Sequence, residues 1–205
     1  YNADTVIVLS ADHLYQMDFR PALEQHHQLG SDLTIITTET DENPERFGVV
    51  TVGKDLTVKT YNYKPEHPAG NLVATEVFII KVSALRQAVE ALMDRLDHQQ
   101  DSDDPDGTPL GDYGETIIPH LVEHGIVHEY RHRDYWRDIG TIDAYFRAHM
   151  ELLDGKGLDL SRPGWPILTN HEQYAPSFIA GSASVQNSLI SQGARIHGEV
   201  TNSVI

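Results

Sequence analysis

The sequence contains no cysteine among its 205 residues. Disulfide bonds, thiolate nucleophiles and zinc sites built on cysteine are therefore excluded. Long apolar runs are also absent, because no stretch approaches the length that spans a bilayer, and the first residues lack the pattern of a signal peptide. A cytoplasmic protein with no membrane partner is the expectation.

Basic residues are scarce. The chain has 15 Lys and Arg against 31 Asp and Glu, which gives a formal net charge of −16. This balance argues against a non-specific nucleic-acid or anionic-membrane binder. A phosphorylated substrate is still compatible, because a metal ion and a few well-placed basic side chains can overcome the mean field locally.

The most informative stretch that is present runs from Val6 to Leu9 and continues into Ser10, Ala11 and Asp12. An unbroken apolar run is typical of a strand buried on both faces of a parallel sheet. Ligands gather at the carboxyl ends of such strands, where a carboxylate can hold a divalent cation against a phosphate. Asp12 is thus a candidate metal ligand, although it could instead cap the next turn or the helix that begins near Asp18.

Apolar spacing and turn residues predict alternating helices and strands. The helices are expected over 18–29, 82–96, 115–124 and 142–153, and the strands over 33–38, 47–52, 57–63, 72–80 and 125–130. This alternation predicts an α/β domain with a largely parallel sheet and a hairpin inserted at 47–63. The acidic, Pro- and Gly-containing segment 97–111 is expected to be a solvated surface loop.

The composition changes after Gly157. Three prolines fall within 161–177 without clear periodicity, so residues 158–177 are expected to be a linker. Beyond it, Asn-Ser-Leu-Ile at 187–190 recurs as Asn-Ser-Val-Ile at 202–205. Short strands with glycine turns at this spacing suggest coils of a parallel β-helix over 178–205, although about two coils cannot bury a core unaided.

Asp138 is the second candidate acid, within the segment Tyr135–Thr141. It could pair with Arg137 or cap the following helix, or it could be a second metal-binding carboxylate. Two acids on separate loops suit phosphoryl or nucleotidyl transfer, because Mg²⁺ is usually held by one or two carboxylates and by substrate phosphates.

Three further features bear on the site. Lys64 precedes Pro65, which is expected to hold it extended, and its ammonium could bind a substrate phosphate or simply face solvent. Gly48 marks a bulge or a close backbone approach. Among the twelve histidines, His120 and His124 lie four positions apart but lack the glutamate of a zinc-protease motif, so these two are interpreted as surface residues.

Six segments resemble, in order, motifs of bacterial ADP-glucose pyrophosphorylases (glucose-1-phosphate adenylyltransferases). They are Leu9–Tyr15 for L-A-G-D-H-x-Y, Phe47–Val50 for F-G-V, Tyr63–Pro65 for E-K-P, Asp112–Pro119 for D-F-G-x-x-I-I-P, Tyr135–Thr141 for Y-W-R-D-V-G-T and Trp165–Ile167 for W-P-I. Their order and approximate spacing cover essentially the whole chain.

The resemblance implies a fold and a reaction. Residues 1–157 would form the C-terminal part of a Rossmann-like mixed-sheet nucleotidyltransferase domain, and 178–205 the first coils of a left-handed β-helix. The enzyme would join ATP and glucose 1-phosphate into ADP-glucose and pyrophosphate for glycogen synthesis, usually as an allosteric homotetramer. Asp12 and Asp138 would hold Mg²⁺, Lys64 would hold the sugar phosphate, and Gly48 and Trp136 would belong to the substrate site.

Departures from the family pattern concern the substrate. The Gly-rich loop that cradles the ATP phosphates is missing from the sequence, so the chain is expected to be a fragment that is inactive alone. Ala11 replaces a usual glycine, Tyr63 replaces the glutamate of E-K-P, and Glu76 stands where a glycine is usual. The last two place Tyr63 and Glu76 at the sugar and leave open a paralogous enzyme for another sugar 1-phosphate, or a catalytically weak regulatory subunit.

Overall fold

The computed structural model describes residues 3–98, 110–168 and 173–205. The chain divides into two compact units: the first comprises Tyr1–Ala11 and Met17–Arg133, and the second Asp12–Gln16 and Asp134–Ile205. Most of the loop expected at 97–111 lies outside the described residues. None of the helices in the described ranges has the length and hydropathy of a membrane span.

Among the described residues, six strands and three α-helices belong to the first unit, and one short strand of the second unit interrupts them in sequence. In chain order the elements are β1 (Thr5–Leu9), β2 of the second unit (His13–Tyr15), α1 (Phe19–Gln28), β3 (Leu33–Glu39), β4 (Gly48–Val52), β5 (Val58–Tyr63), β6 (Leu72–Lys81), α2 (Val82–His98), α3 (Ile117–His124) and β7 (Val127–Arg131). The second unit continues with β8 (Trp136–Asp138), α4 (Ile142–Leu153), β9 (Phe178–Ile179), β10 (Ser184–Gln186), β11 (Arg195–Ile196) and β12 (Glu199–Thr201).

The first unit is built on one mixed six-stranded sheet. Its order is β5-β4-β6-β3-β7, and β1 pairs with β6 off this path. Only β3 and β7 run parallel, whereas β1–β6, β3–β6, β4–β5 and β4–β6 are antiparallel. The predicted α/β class and the hairpin are confirmed, but the prediction of a largely parallel sheet is wrong. Strand apolarity reports burial, and it does not report the direction of the neighbouring strand.

Strand β1 differs from its prediction in the same way. It pairs antiparallel with β6, in the register Thr5↔Lys81 to Leu9↔Val77. Ile7 is 36% exposed and Leu9 48% exposed. Because β6 is the one partner of β1 among the described strands, this strand lies at an edge and is not buried on both faces.

Strand β3 runs through the hydrophobic core of the first unit. Leu33 and Ile35 are fully buried and belong to a cluster that includes Phe78 of β6 and Ile118 of α3. Successive strand residues point to opposite faces, and the intervening Thr34 bonds His26 of α1 through its hydroxyl at 2.9 Å. Helices α1 and α3 therefore cover opposite faces of the sheet.

Side chains cap the starts of two helices. Asp18 caps α1 by accepting the backbone N–H of Arg20 at 3.0 Å, and Thr141 caps α4 by accepting that of Ala144 at 3.2 Å. Each side chain satisfies an N–H group that has no partner within its own helix. The predicted bounds of α4 are confirmed.

The sequence repeat of the second unit corresponds to stacked parallel strands. Strand β10 pairs with β12 in the register Ser184↔Glu199, and β9 pairs with β11. The side-chain amide of Asn187 donates to Oδ1 of Asn202, fifteen positions later, at 2.7 Å. The two copies of the repeat thus lie one above the other.

Candidate active site

Asp12 and Asp138 come together in the second unit through a short antiparallel strand pair. Strand β2 begins one residue after Asp12, and β8 ends at Asp138, with His13 opposite Asp138 in the register. The backbone N–H of Ile139 donates to the carbonyl of Asp12 at 3.1 Å. Residues more than a hundred positions apart are therefore fixed side by side by backbone hydrogen bonds.

The carboxylates of Asp12 and Asp138 both lie close to Gly140. A Cβ at this glycine would lie 3.0 Å from Oδ1 of Asp138 and 3.3 Å from Oδ2 of Asp12. Both acids thus border the same small space, which a side chain at position 140 would fill. The N–H of Gly140 also donates to Oδ1 of Asp138 at 2.7 Å, which orients that carboxylate.

His13 completes this group, and the sequence interpretation did not include it. Its Nε2 lies 3.7 Å from Oδ1 of Asp12 and 4.0 Å from Oδ1 of Asp138, and its side chain is 4% exposed. Its ring meets that of Trp136 edge to face, with centroids 5.1 Å apart. Trp136 thus packs against the ring of His13. The available signal was the position of His13 directly after the candidate acid.

Neighbouring residues take the structural roles that the sequence left open for Asp12 and Asp138, namely the cap of α1 and the ion pair with Arg137. Helix α1 is capped by Asp18, so Asp12 is not its cap. Arg137 pairs with Glu151 of α4, with Nη2 2.6 Å from Oε1 and Nε 2.9 Å from Oε2. Asp138 follows Arg137 on a strand, so the two side chains point to opposite sides.

Glu151 also accepts a hydrogen bond from the Tyr135 hydroxyl at 2.9 Å. Burial, followed by this hydrogen bond, raises the pKa of Tyr135 to about 12. Strand β8 is thus tied to α4 by a tyrosine, an arginine and a glutamate, and this anchor supports the strand that ends in Asp138.

The acid pair has the chemistry of a magnesium site that uses substrate oxygens. The Asp12 side chain is 58% exposed, so the space between the acids opens to solvent, while Asp138 is 13% exposed. Among the described residues, no three His, Asp or Glu side chains are grouped so that they could hold a metal ion by themselves. Two carboxylates with an open side fit Mg²⁺, which commonly takes one or two protein carboxylates and completes its octahedron with phosphate and water oxygens.

The other predicted residues, Gly48, Tyr63, Lys64 and Glu76, lie in the first unit. Gly48 begins β4 opposite Tyr63 of β5. A Cβ at Gly48 would lie 2.6 Å from the Tyr61 ring, so the expected close approach is to an aromatic side chain. Burial raises the pKa of Tyr61, and the negative charge of Glu76 raises it further.

Tyr63 joins β5 to the segment before α3. Its hydroxyl donates to Oδ2 of Asp112 at 2.5 Å. Its ring packs on Gly114, where a Cβ would lie 2.5 Å from Cε2 of the tyrosine. Burial raises the pKa of Tyr63 well above its usual value, and the hydrogen bond and charge of Asp112 act in the same direction.

Lys64 departs from its expected conformation. Its φ is +42°, in the left-handed region, and not extended as Pro65 was expected to impose. Proline disfavours the right-handed helical region for the preceding residue, and the left-handed φ of Lys64 also lies outside that region. Its N–H donates to the carbonyl of Phe47 at 3.1 Å, which closes the β4–β5 pair. Its exposed ammonium lies 4.5 Å from the centroid of the Tyr63 ring.

Glu76 lies where β6 changes neighbours. Val73 pairs with β4, whereas Val77 pairs with Leu9 of β1. Between them Glu76 has a φ of +54°, and its carbonyl accepts the N–H of Ser10 at 3.2 Å. A left-handed φ explains why a glycine suits this position. The carboxylate accepts from the Tyr113 hydroxyl at 3.4 Å.

The sequence is similar to known proteins along its whole length. A family model described as nucleotidyl transferase matches residues 1–155. Curated relatives named glucose-1-phosphate adenylyltransferase include one from Clostridioides difficile, 33% identical over 100% of this chain and 51% of that protein. Another, from Thermomicrobium roseum, is 36% identical over 92% of this chain and 42% of that protein. The resemblance inferred from the motifs is confirmed, and the chain spans about half the length of these relatives.

Proposed function

Because the chain belongs to the nucleotidyl transferase family, we propose that the protein carrying it transfers AMP from ATP to glucose 1-phosphate. The products are ADP-glucose and pyrophosphate. The observation that carries the proposal is the convergence of Asp12 and Asp138 on one open space beside Gly140. The names of the curated relatives support the choice of nucleotide and sugar.

The reaction is an in-line displacement at the α-phosphorus of ATP. A phosphate oxygen of glucose 1-phosphate forms the new P–O bond, and the bond from the α-phosphorus to its bridging oxygen breaks as pyrophosphate leaves. Positioning and charge neutralisation account for most of the catalysis in such transfers. Mg²⁺, when bound, would neutralise charge on the phosphate oxygens.

The chain's own residues have separable tasks in this proposal. Asp12 and Asp138 would hold the cation, and the hydrogen bond from Gly140 keeps Asp138 oriented toward it. His13, wedged between the acids and packed on Trp136, would keep them from collapsing together. Lys64 would hold the phosphate of the sugar substrate as a point charge, and Gly48 would leave room for the Tyr61 ring beneath it.

A different sugar 1-phosphate is the second candidate substrate. Two carboxylates on the proposed sugar side bond to tyrosine hydroxyls: Asp112 to Tyr63 and Glu76 to Tyr113. A sugar hydroxyl must meet these groups as they are arranged here, and a site built to pair with a hydroxyl discriminates strongly against a sugar that misplaces it.

The remaining expectations belong to the same proposal. Residues 158–177 would link the transferase part to a left-handed β-helix that begins at 178, an arrangement supported by the parallel pairs β9–β11 and β10–β12. Glycogen synthesis in the cytoplasm, a homotetramer and allosteric control follow from the family resemblance.

The test is release of pyrophosphate by the whole protein that carries this chain, assayed with ATP, Mg²⁺ and several sugar 1-phosphates. Asp138→Asn should reduce turnover by about two orders of magnitude or more, because one of two metal carboxylates is lost. Its circular dichroism spectrum and unfolding temperature should stay near those of the unmodified protein.

The exposed Asp134, in the segment just before β8, provides the matched control. Asp134→Asn should leave turnover unchanged. Absence of turnover with every sugar would refute the enzyme, turnover with another sugar alone would refute glucose 1-phosphate, and full activity of Asp138→Asn would refute the metal role.

A further inference from the structure

We propose that Tyr63 is a positioning residue that couples the two ends of the sugar-phosphate site: its hydroxyl orients the carboxylate of Asp112, and its ring supports the ammonium of Lys64. The inference rests on the proposed function, because the coupled groups are those that would meet a sugar and its phosphate. It differs from a direct contact between Tyr63 and the sugar, because Tyr63 acts through two other side chains.

The hydroxyl end is a fixed carboxylate. Asp112 accepts from the Tyr63 hydroxyl at 2.5 Å through Oδ2 and from the N–H of Gly114 at 2.8 Å through Oδ1. Two donors on different oxygens fix the orientation of the carboxylate plane. Each oxygen keeps a further lone pair, and Asp112 is exposed, so the carboxylate can accept hydrogen bonds from sugar hydroxyls in a fixed direction.

The ring end supports a cation. The Lys64 ammonium lies 4.5 Å from the ring centroid of the adjacent tyrosine, within the range of a cation–π interaction. The left-handed backbone of Lys64 and the hydrogen bond from its N–H to Phe47 fix the point from which this side chain projects. A flexible lysine is thereby confined to the face of one ring, close to where a phosphate would bind.

The Tyr63 ring packs into a space that the neighbouring Gly114 leaves open. This ring occupies space that any side chain at Gly114 would need, since a Cβ there would lie 2.5 Å from the ring. Burial of the phenol and its bond to Asp112 raise its pKa, so the hydroxyl remains protonated and donates at neutral pH. Tyr63, Asp112 and Gly114 therefore form one arrangement whose members fit each other.

Two substitutions distinguish the role of the Tyr63 hydroxyl from the role of its ring. Tyr63→Phe keeps the ring and removes the hydroxyl, whereas Tyr63→Leu removes both. The readouts are the ratio of kcat/KM for glucose 1-phosphate to that for galactose 1-phosphate, which reports sugar recognition, and the inhibition constant of inorganic phosphate, which reports the cation.

Tyr63→Phe should change the sugar ratio by about tenfold or more, the effect of one lost hydrogen bond to a charged group, while the phosphate constant stays unchanged. Tyr63→Leu should change the ratio similarly and also raise the phosphate constant by about threefold or more. Asp112→Asn should reproduce Tyr63→Phe, and Tyr145→Phe, at a half-exposed tyrosine on α4, should change neither quantity. An unchanged ratio in Tyr63→Phe, or equal phosphate constants in Tyr63→Leu and the unmodified protein, would overturn the coupling.

A measurement without turnover keeps this inference distinct from the proposed function. In protein labelled with ¹³C at the tyrosine ring, the resonance lost in Tyr63→Phe identifies Tyr63. That resonance should remain in its protonated position between about pH 9 and pH 11, where exposed tyrosines ionise, and Asp112→Asn should shift its ionisation to lower pH, because the contribution of the carboxylate is lost while burial remains. A protein that turns over no sugar phosphate but shows this titration would refute the proposed function and retain the Tyr63–Asp112 pair. Ionisation of Tyr63 with the exposed tyrosines would refute the pair.

Discussion

Gly140 leaves open the space beside the carboxylates of Asp12 and Asp138. Its φ lies outside the left-handed region, so the glycine is needed for space and not for backbone freedom. A methyl group there would approach oxygens of both Asp138 and Asp12. The glycine of the segment Tyr135–Thr141 therefore belongs to the candidate site as much as the two acids do.

At the scale of residues, the sequence predicts the types of group better than their pairings. Asp12 and Asp138 could be chosen as candidates from the sequence, because ligands bind at the carboxyl ends of strands. His13 could not, because the direction of its side chain depends on the pairing of β2 with β8. The Tyr63–Asp112 bond joins positions 49 residues apart, and no local pattern reports such a contact.

His26 is a buried histidine that should make stability depend on pH. It is 2% exposed and bonds to Thr34. Burial lowers its pKa, the positive charge of His27 lowers it further, and Asp32 opposes the shift. At mildly acidic pH, His26 therefore binds a proton more readily in the unfolded chain than in the folded protein. The contribution of His26 is fully present above the unfolded pKa of about 6.5 and is lost as pH falls from there through the folded pKa.

The free energy of unfolding, measured in urea from pH 7.5 to pH 5, should thus decrease toward the acid end. His26→Gln, which cannot gain a charge, should flatten that decrease even if its stability at pH 7.5 is lower. His27→Gln, at the exposed neighbour, should retain most of the slope. Equal slopes in the unmodified protein and in His26→Gln would contradict this assignment.

Among the elements, helix α4 was predicted with its correct bounds, whereas the place of strand β1 in the sheet was not predicted. The bounds of α4 follow from local information, because Thr141 caps it and its apolar spacing is helical. The position of β1 at a sheet edge depends on β6, which lies about seventy residues later in its register. Local composition predicts that a segment is a strand, whereas the neighbours of that strand are set by the whole topology.

The β4–β5 hairpin contains a residue under backbone strain. Leu56 has a φ of +65° at the end of the turn and is 40% exposed. Gly53 and Leu56 hold the turn through a backbone hydrogen bond of 3.1 Å, and the Leu56 carbonyl accepts from Glu129 at 2.8 Å. These bonds keep leucine in a conformation that costs an L-residue about 1–2 kcal/mol.

Comparison of glycine with alanine at this position isolates the strain. Leu56→Gly should be more stable than Leu56→Ala by about 0.5–1 kcal/mol, because the relieved strain exceeds the entropy that glycine loses on folding. At the exposed Lys59 of β5 the order should be reversed, since glycine weakens an ordinary strand position. Chemical denaturation of the four variants measures both differences, and the same order at both positions would refute the strain at Leu56.

For the molecule as a whole, the net charge of −16 complicates any test of the acid pair. A chain so negative repels itself, so any salt that screens the charges should stabilise it. Stabilisation by MgCl₂ alone would therefore not identify a site. A specific site adds a term that depends on the concentration of free cation relative to its dissociation constant, and not on ionic strength.

The two contributions separate at matched ionic strength. MgCl₂ should raise the unfolding temperature above the value in KCl, by about 3–6 °C if the cation is present at ten times its dissociation constant. In the variant Asp12→Asn/Asp138→Asn the two salts should give the same unfolding temperature, because only screening remains. A double substitution at exposed acids away from the pair, Asp134→Asn/Asp154→Asn, removes the same charge and should retain the advantage of MgCl₂. If the advantage persists without Asp12 and Asp138, the cation binds elsewhere on this acidic surface, and the acid pair is not its site.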